Sequence, residues 1–351
     1  MKKLFKYLLI LIVISTPILY FVLSALDNYI FKLERVSYLE QNANKLETIG
    51  TKIKLEDDIT DLQFSWNNKY YTYLKDSKIY IKYTKNGETY DVIEEDDEIN
   101  YFKLLYDKNR IIYITSSKYS ATRTKLDIKT YEIEGKSKNE FKTFYVNNFV
   151  KIKDMNMSPL INMIYINIET RNSNSIYKVN LFNDISLVKS GMIIENMIML
   201  QHNDYVYYQD DEYNIYFSSG SSSIFNDEVE MIGIDENDYV YFIDKAKHST
   251  VYVVNGRYRK VIDTIKLTDK NLVKTYSNNV GVYLVYPTYV INVASDTPFE
   301  KIGRVSQYAD FEAIKGNTMY LRTKDNVLVT APVKEIKDKS VEKENIEENN
   351  D

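Results

Sequence analysis

The chain has 351 residues, no cysteine, and 45 basic against 50 acidic side chains, a formal net charge of −5. The length allows a large core, while the charge balance gives no electrostatic basis for nucleic-acid binding, which rewards a strongly basic surface. Without cysteine there are no disulfides, no thiolate metal site, no cysteine nucleophile and no lipobox anchor. Tyrosine is abundant, with 33 residues, beside many Lys, Ile and Asn, a bias that AT-rich coding explains; tyrosine also suits strands.

Residues 1–6 form a short basic end, with Lys2, Lys3 and Lys6 ahead of an uncharged run from Tyr7 to Leu26. Twenty helical residues at about 1.5 Å each span the roughly 30 Å hydrocarbon core of a bilayer. The leading lysines favour a cytoplasmic start, so the body is expected to face outward on a single transmembrane anchor. The rival reading is a cleaved signal peptide, with Val22 and Ser24 before a cut ahead of Ala25. Either reading places the bulk of the chain outside the cytoplasm. Residues 27–49 read as a helical stalk, because Tyr29, Ile30, Leu33, Val36 and Leu39 recur at three- and four-residue steps.

From residue 50 to 332 one phrase recurs: an apolar run, a polar turn, then a strand with a tyrosine inside it. The tyrosines are Tyr71, Tyr113, Tyr165, Tyr207, Tyr241, Tyr283 and Tyr320, at steps of 42, 52, 42, 34, 42 and 37 residues. A period near 40 residues with several short strands per period predicts an all-β, seven-bladed β-propeller. The tyrosine rings are expected to pack in the core while their hydroxyls reach polar edges. The first blade parses as Thr60–Trp66, Lys69–Leu74, Lys78–Tyr83 and Thr89–Ile93, with an Asn86-Gly87 hairpin. The second is placed at Asn100 to about Ile133, the third at Val150–Val188, and the fourth at Met197–Phe225. The fifth is placed at Val229–Ile262 and the sixth at Leu272–Ile302.

The seventh blade runs from Phe311 to Thr330 and lacks a fourth strand. Lys52-Ile53-Lys54-Leu55, followed by Glu56-Asp57-Asp58-Ile59, matches Tyr90-Asp91-Val92-Ile93 with its own acidic run and isoleucine. The segment from Lys52 to Leu55 is therefore expected to complete the last blade and close the ring. Residues 333–351 are charged, almost without apolar side chains, and expected to be disordered.

Phrases such as Met163-Ile164-Tyr165-Ile166-Asn167 with Ser175-Ile176-Tyr177-Lys178-Val179-Asn180, and Asp238-Tyr239-Val240-Tyr241-Phe242-Ile243-Asp244 with Val251-Tyr252-Val253-Val254-Asn255-Gly256, resemble propeller repeats of the YWTD and TolB-like kind. The resemblance covers roughly residues 50–332. It implies a ring of six to eight blades that recognises proteins or peptides. No repeat contains the YWTD tetrapeptide itself, so the partner stays open.

Catalytic groupings do not emerge. His202 and His248 lie in different repeats at no ligand spacing, His202 reading as a turn residue and His248 as part of an exposed loop. Asp235-Glu236-Asn237-Asp238 and Asp107-Lys108-Asn109 could offer oxygen to calcium but lack the EF-hand pattern, and Asp and Asn are ordinary turn residues. The serine patch Ser218–Ser223 lacks the G-x-S-x-G frame. Trp66 reads as packing at the end of a first strand. No catalytic residue, metal or cofactor is expected. The leading expectation is a membrane-anchored module that binds a protein or cell-envelope component through long loops at one end of the ring, with Lys118, Tyr119, Arg123, Arg171 and His248 as candidate binding residues. A carbohydrate-active enzyme with carboxylates at the channel mouth, and a purely structural assembly role, are the alternatives.

Overall fold

A computed structural model describes residues 52–333 and 342–344, apart from internal stretches 106–107, 159–161, 181–183, 219–224, 226–227, 279–280, 288 and 295–308. The expected anchor at Tyr7–Leu26, its possible cleavage point and the stalk lie outside the described residues. So do most of the serine patch, Asp107 and most of the tail. Among the described residues there is no helix, and hence none long and apolar enough to cross a membrane.

The described residues form strands in seven antiparallel sheets. The chain opens with Lys52–Lys54 (β1). The first blade is then Thr60–Phe64 (β2), Tyr70–Lys75 (β3), Lys78–Tyr83 (β4) and Thr89–Ile93 (β5). The second is Glu98–Leu104 (β6), Arg110–Lys118 (β7), Arg123–Glu132 (β8) and Ser137–Asn147 (β9). The third is Phe149–Ser158 (β10), Met163–Thr170 (β11), Asn174–Asn180 (β12) and Ile185–Met192 (β13). Three strands of the fourth are described: Ile194–Met199 (β14), Val206–Asp210 (β15) and Ile215–Phe217 (β16). The fifth is Val229–Ile234 (β17), Tyr239–Asp244 (β18), Thr250–Asn255 (β19) and Lys260–Lys266 (β20). The sixth shows Lys274–Asn278 (β21), Gly281–Val285 (β22) and Val290–Asn292 (β23). The seventh is Ala309–Lys315 (β24), Thr318–Thr323 (β25) and Val327–Pro332 (β26). Finally Glu342–Glu344 (β27), inside the segment expected to be disordered, pairs antiparallel with β20 and covers the outer edge of the fifth sheet.

The closure is as the sequence predicts. β1 pairs antiparallel with β26, Lys52 opposite Val329 and Lys54 opposite Val327, so the seventh sheet runs β24-β25-β26-β1. The Leu55 amide donates to the Asn326 carbonyl at 2.9 Å, and the Asn326 side chain donates to the Glu56 carbonyl at 2.8 Å. Gly87 is fitted to this seam: its φ is +76°, and a Cβ there would stand 2.8 Å from Ile53 Cγ2.

The core lies between the blades. Seven apolar clusters fill the seven interfaces. One joins Ile164, Ile166 and Ile168 of the third blade to Ile112, Ile114 and Leu126 of the second; another joins Ile53, Phe64 and Tyr71 to Ala313, Tyr320 and Leu328 across the closure. Each central strand is covered on both faces, so its apolar residues run consecutively rather than alternate.

All seven repeated tyrosines are buried in second strands. Their facing differs, however. Tyr165, Tyr207, Tyr241, Tyr283 and Tyr320 face the following blade, whereas Tyr71 and Tyr113 face the preceding one. The repeat phrase is one residue out of register in the first two blades, and a one-residue slip exchanges the two faces of a strand. The hydroxyl partners follow the facing. Tyr113 donates to Glu95, on the connection entering its own blade, at 2.8 Å. Tyr165 donates to Asp204 at 2.9 Å and Tyr207 to the Gly256 carbonyl at 2.6 Å, both in the next blade.

Two further assignments are corrected. The second blade does not end near Ile133: Ser137–Asn147 is its outer strand, paired with β8 along its length. Trp66 lies in the turn after β2, beyond the end of the strand, and is 40 % exposed.

Candidate functional site

Two concavities stand out on the ring. The first is the central channel. The innermost strands β2, β6, β10, β14, β17 and β24 each carry a bulge, at or near Asp61, Asn100, Lys153, Glu195, Ile232 and Glu312. A bulge inserts a residue that the ladder leaves unpaired. Lys153, Glu195 and Ile232 use that freedom to line a cavity of about 520 Å³ between the second and sixth blades, together with Lys103, Asp154 and Glu230.

The channel acids are largely engaged. Asp154 accepts from the Tyr101 hydroxyl at 3.1 Å, the Met155 amide at 2.7 Å and the Asn156 side chain at 2.6 Å, with Lys103 at 3.8 Å. Glu195 pairs with Lys153 at 2.9 Å. Burial raises the Glu312 carboxyl above its ordinary value, against the pull of Lys274 and of Arg322 at 4.0 Å. Among the described residues no three acidic or histidine side chains converge as a metal site. The Asp235 carboxylate caps its own turn, accepting from the Asn237 and Tyr239 amides at 2.9 Å and the Tyr241 hydroxyl at 3.0 Å. Asp238 accepts from the His202 amide and the Asn203 side chain at 3.0 Å, which puts His202 in a turn, as expected.

The second concavity lies on the end of the ring formed by the turns between second and third strands. Those turns are short, although long loops are expected there. Ser116–Lys118 belong to β7, Glu169 and Thr170 to β11, and Asp244 to β18, which leaves 119–122, 171–173 and 245–249. Between the second and third blades a groove of about 510 Å³ is lined by Lys118, Arg123, Arg171, Glu98, Asn100 and Asn148, with serine and threonine hydroxyls from 116–124.

Backbone hydrogen bonds knit its floor. The Tyr119 and Ser120 amides donate to the Arg123 carbonyl at 3.0 and 2.9 Å, closing the tip of the β7–β8 hairpin. The Asn148 amide donates to the Thr122 carbonyl at 2.7 Å, and the Arg171 amide donates to the Asn148 carbonyl at 3.0 Å. Asn148 holds this bridge with a φ of 52°, a conformation Asn tolerates better than most residues. Above the floor, the Tyr119 and Tyr145 rings meet at 4.7 Å, and the Arg123 guanidinium sits 4.9 Å from the Tyr145 centroid and 5.9 Å from that of Tyr119.

The structure thus brings Lys118, Arg123 and Arg171 together, with Tyr119 at the rim. His248 is not among the groove-lining residues: it sits half-buried in the fifth blade's turn, its amide bonded to the Asp244 carbonyl at 2.9 Å. Sequence reading missed Glu98 and Asn100, which come from an innermost strand, and Tyr145 and Asn148. Asn147-Asn148 reads as a turn dipeptide, which places Asn148 between two strands without joining it to the cations.

No protein-family profile matches the chain, and no curated protein does. Solved structures match it across most of its length. The chain is similar to a chain of a mitotic checkpoint complex (TM-score 0.52, 11 % identity, 82 % of this chain and 94 % of that one). It is similar to Hsv2 of Kluyveromyces lactis (TM-score 0.51, 12 % identity, 82 % and 97 %). It is also similar to a catalytically inactive virginiamycin B lyase from Staphylococcus aureus solved with quinupristin (TM-score 0.53, 10 % identity, 81 % and 99 %). With the seven sheets these matches define the chain as a seven-bladed β-propeller, a likeness of fold alone.

Proposed function

We propose that this protein is an interaction module: a propeller carried outside the cytoplasm on an uncleaved span at Tyr7–Leu26, docking a protein or cell-envelope component with the loop end that bears Lys118, Tyr119, Arg123 and Arg171. One observation carries the reading. The groove between the second and third blades is a concave, polar, hydrogen-bonded surface with an aromatic rim, the make-up of a contact patch. The channel supports an enzyme less well, because Asp154 is held by the Tyr101 hydroxyl, the Met155 amide and the Asn156 side chain, and Glu195 is paired with Lys153. The fold permits either role, since one similar chain belongs to a mitotic checkpoint complex and another to a lyase.

The test is crosslinking of the full-length protein in its host membrane, comparing the parent with a Lys118, Tyr119, Arg123 and Arg171 to alanine variant and with His248→Ala. The reading expects a crosslinked species that is lost in the fourfold variant and kept in His248→Ala. Equal crosslinking by all three removes the loop end as the docking surface. Fractionation of the same cells tests the anchor: recovery in the soluble fraction contradicts it.

A further inference from the structure

The groove between the second and third blades gathers cations that find no carboxylate among the described residues. Several lysines elsewhere find carboxylates: Lys82 lies 2.6 Å from Glu56, Lys129 2.6 Å from Glu95, Lys125 2.7 Å from Asp127, and Lys153 2.9 Å from Glu195. In the groove Lys118, Arg123 and Arg171 have no carboxylate partner among the described residues, and all three are exposed. The one acid in the lining, Glu98, pairs with none of them within 4 Å. Three cations against one carboxylate give the groove a local positive charge on a protein whose net charge is −5.

Arg123 and the backbone of Arg171 are also placed in advance. Arg123 is stacked on Tyr119 and Tyr145, so its planar donor fork is oriented before a ligand arrives. Arg171 is tied to Asn148 and through it to Thr122, which fixes its Cα relative to the β7–β8 hairpin. Little freedom of the two backbones remains to be lost on binding. The three charges are drawn from two blades along a cavity of about 510 Å³, with exposed Tyr145 and Val150 beside it. Spread charge with apolar neighbours suits a run of side chains better than a single small ion.

We propose that the groove between the second and third blades binds an acidic segment of a protein partner, its Asp and Glu carboxylates meeting Lys118, Arg123 and Arg171. This rests on the docking function assigned to that end of the ring, and it names the chemistry of the partner. Arg123 and Arg171 take carboxylates in the forked geometry that guanidinium favours, and Lys118 adds a point charge. The asparagine amides and serine and threonine hydroxyls of the lining donate to carboxylate oxygens left over.

The test uses the full chain in zwitterionic nanodiscs and a fluorescein-labelled, eight-residue polyglutamate peptide, read by anisotropy. A glycine-serine peptide of equal length is the control. The inference expects saturable binding of the acidic peptide alone, weakened about tenfold by Arg123→Gln with Arg171→Gln and reduced by added salt, because the pairs are exposed. Glu98→Gln is expected to tighten binding several-fold, since it removes the one opposing charge among the described residues that line the groove. A gain of binding cannot come from misfolding. His248→Ala is expected to change nothing.

Absence of binding up to about 1 mM, a free energy of about −4 kcal/mol, overturns the inference. So does equal binding by the double variant, or weaker binding by Glu98→Gln. Displacement of the peptide by an equimolar amount of inorganic phosphate replaces it with a small-anion site. Binding of phosphatidylglycerol vesicles without binding of the peptide replaces it with a lipid surface. If the peptide fails while crosslinking in the host still depends on the four loop residues, the docking reading stands and only its acidic partner falls. If the peptide binds while crosslinking ignores those residues, the docking reading is the one that fails.

Discussion

Replacing Glu95 by glutamine tests how the ring holds its charged seams. Glu95 enters the second blade from the connection before β6, and its side chain is 11 % exposed. It accepts from Lys129 at 2.6 Å, Lys138 at 2.9 Å and the Tyr113 hydroxyl at 2.8 Å. Burial alone raises the carboxyl, but the hydrogen bonds from Lys129, Lys138 and Tyr113 outweigh it and hold the pKa at about 2 instead of 4.5. At 1.36 kcal/mol per pH unit that difference corresponds to about 3 kcal/mol. Lys138 is half exposed, so screening of that arm brings the expected contribution to about 2 kcal/mol. The folded value lies below the unfolded one. The contribution is therefore complete above pH 4.5 and disappears as the pH falls toward 2. Urea unfolding of the parent and Glu95→Gln at pH 7, 5, 4 and 3 measures it. The gap between the two proteins is expected to be about 2 kcal/mol at pH 7 and 5 and to narrow steadily below 4.5. A gap that does not change with pH refutes the reasoning, as does no gap at pH 7.

Two further substitutions probe single contacts by the same unfolding measurement. Tyr207→Phe removes the 2.6 Å hydrogen bond to the buried Gly256 carbonyl and should cost about 1–2 kcal/mol with no change in denaturant slope. Gly256→Ala should cost about 1–3 kcal/mol, because its Cβ would stand 2.5 Å from the Asp238 carbonyl oxygen, which is backbone and cannot turn away.

The fold was legible because central strands covered on both faces write themselves as apolar runs, and because polar turns cut those runs at regular intervals. The closure was legible for a related reason: Lys52–Leu55 and Tyr90–Ile93 occupy equivalent outer positions and lead into equivalent acidic connections. What escaped the sequence is what one-dimensional pattern does not encode. The facing of Tyr71 and Tyr113 differs from that of Tyr165 by a single residue, which only the opposing blades reveal. The outer strand Ser137–Asn147 was missed because its first half is charged and exposed, as an outer edge strand tends to be. The bulges at Lys153, Glu195 and Glu312 break the alternation that would have shown which charges face the channel. Of the candidate site, Lys118, Arg123 and Arg171 could be picked out as cations on one end of the ring. Glu98 and Asn148 could not be joined to them, because that union depends on how neighbouring blades stand together.

The account depends most on a ring sealed by its own first strand, and one measurement addresses that directly. In the full-length chain, residues 52–55 are replaced by a glycine-serine linker of equal length, and urea unfolding is followed with amide exchange at Leu328, which faces Ile53 across the seam. The seal buries Ile53 and Leu55, exposed by only 6 % and 2 %, and pairs three residues with β26. Burial of the two side chains alone is worth about 4 kcal/mol. The predicted result is a midpoint lowered by that burial, fast exchange at Leu328, and recovery of protection when a peptide of residues 50–59 is added. An unchanged midpoint with the Leu328 amide still protected contradicts the closure.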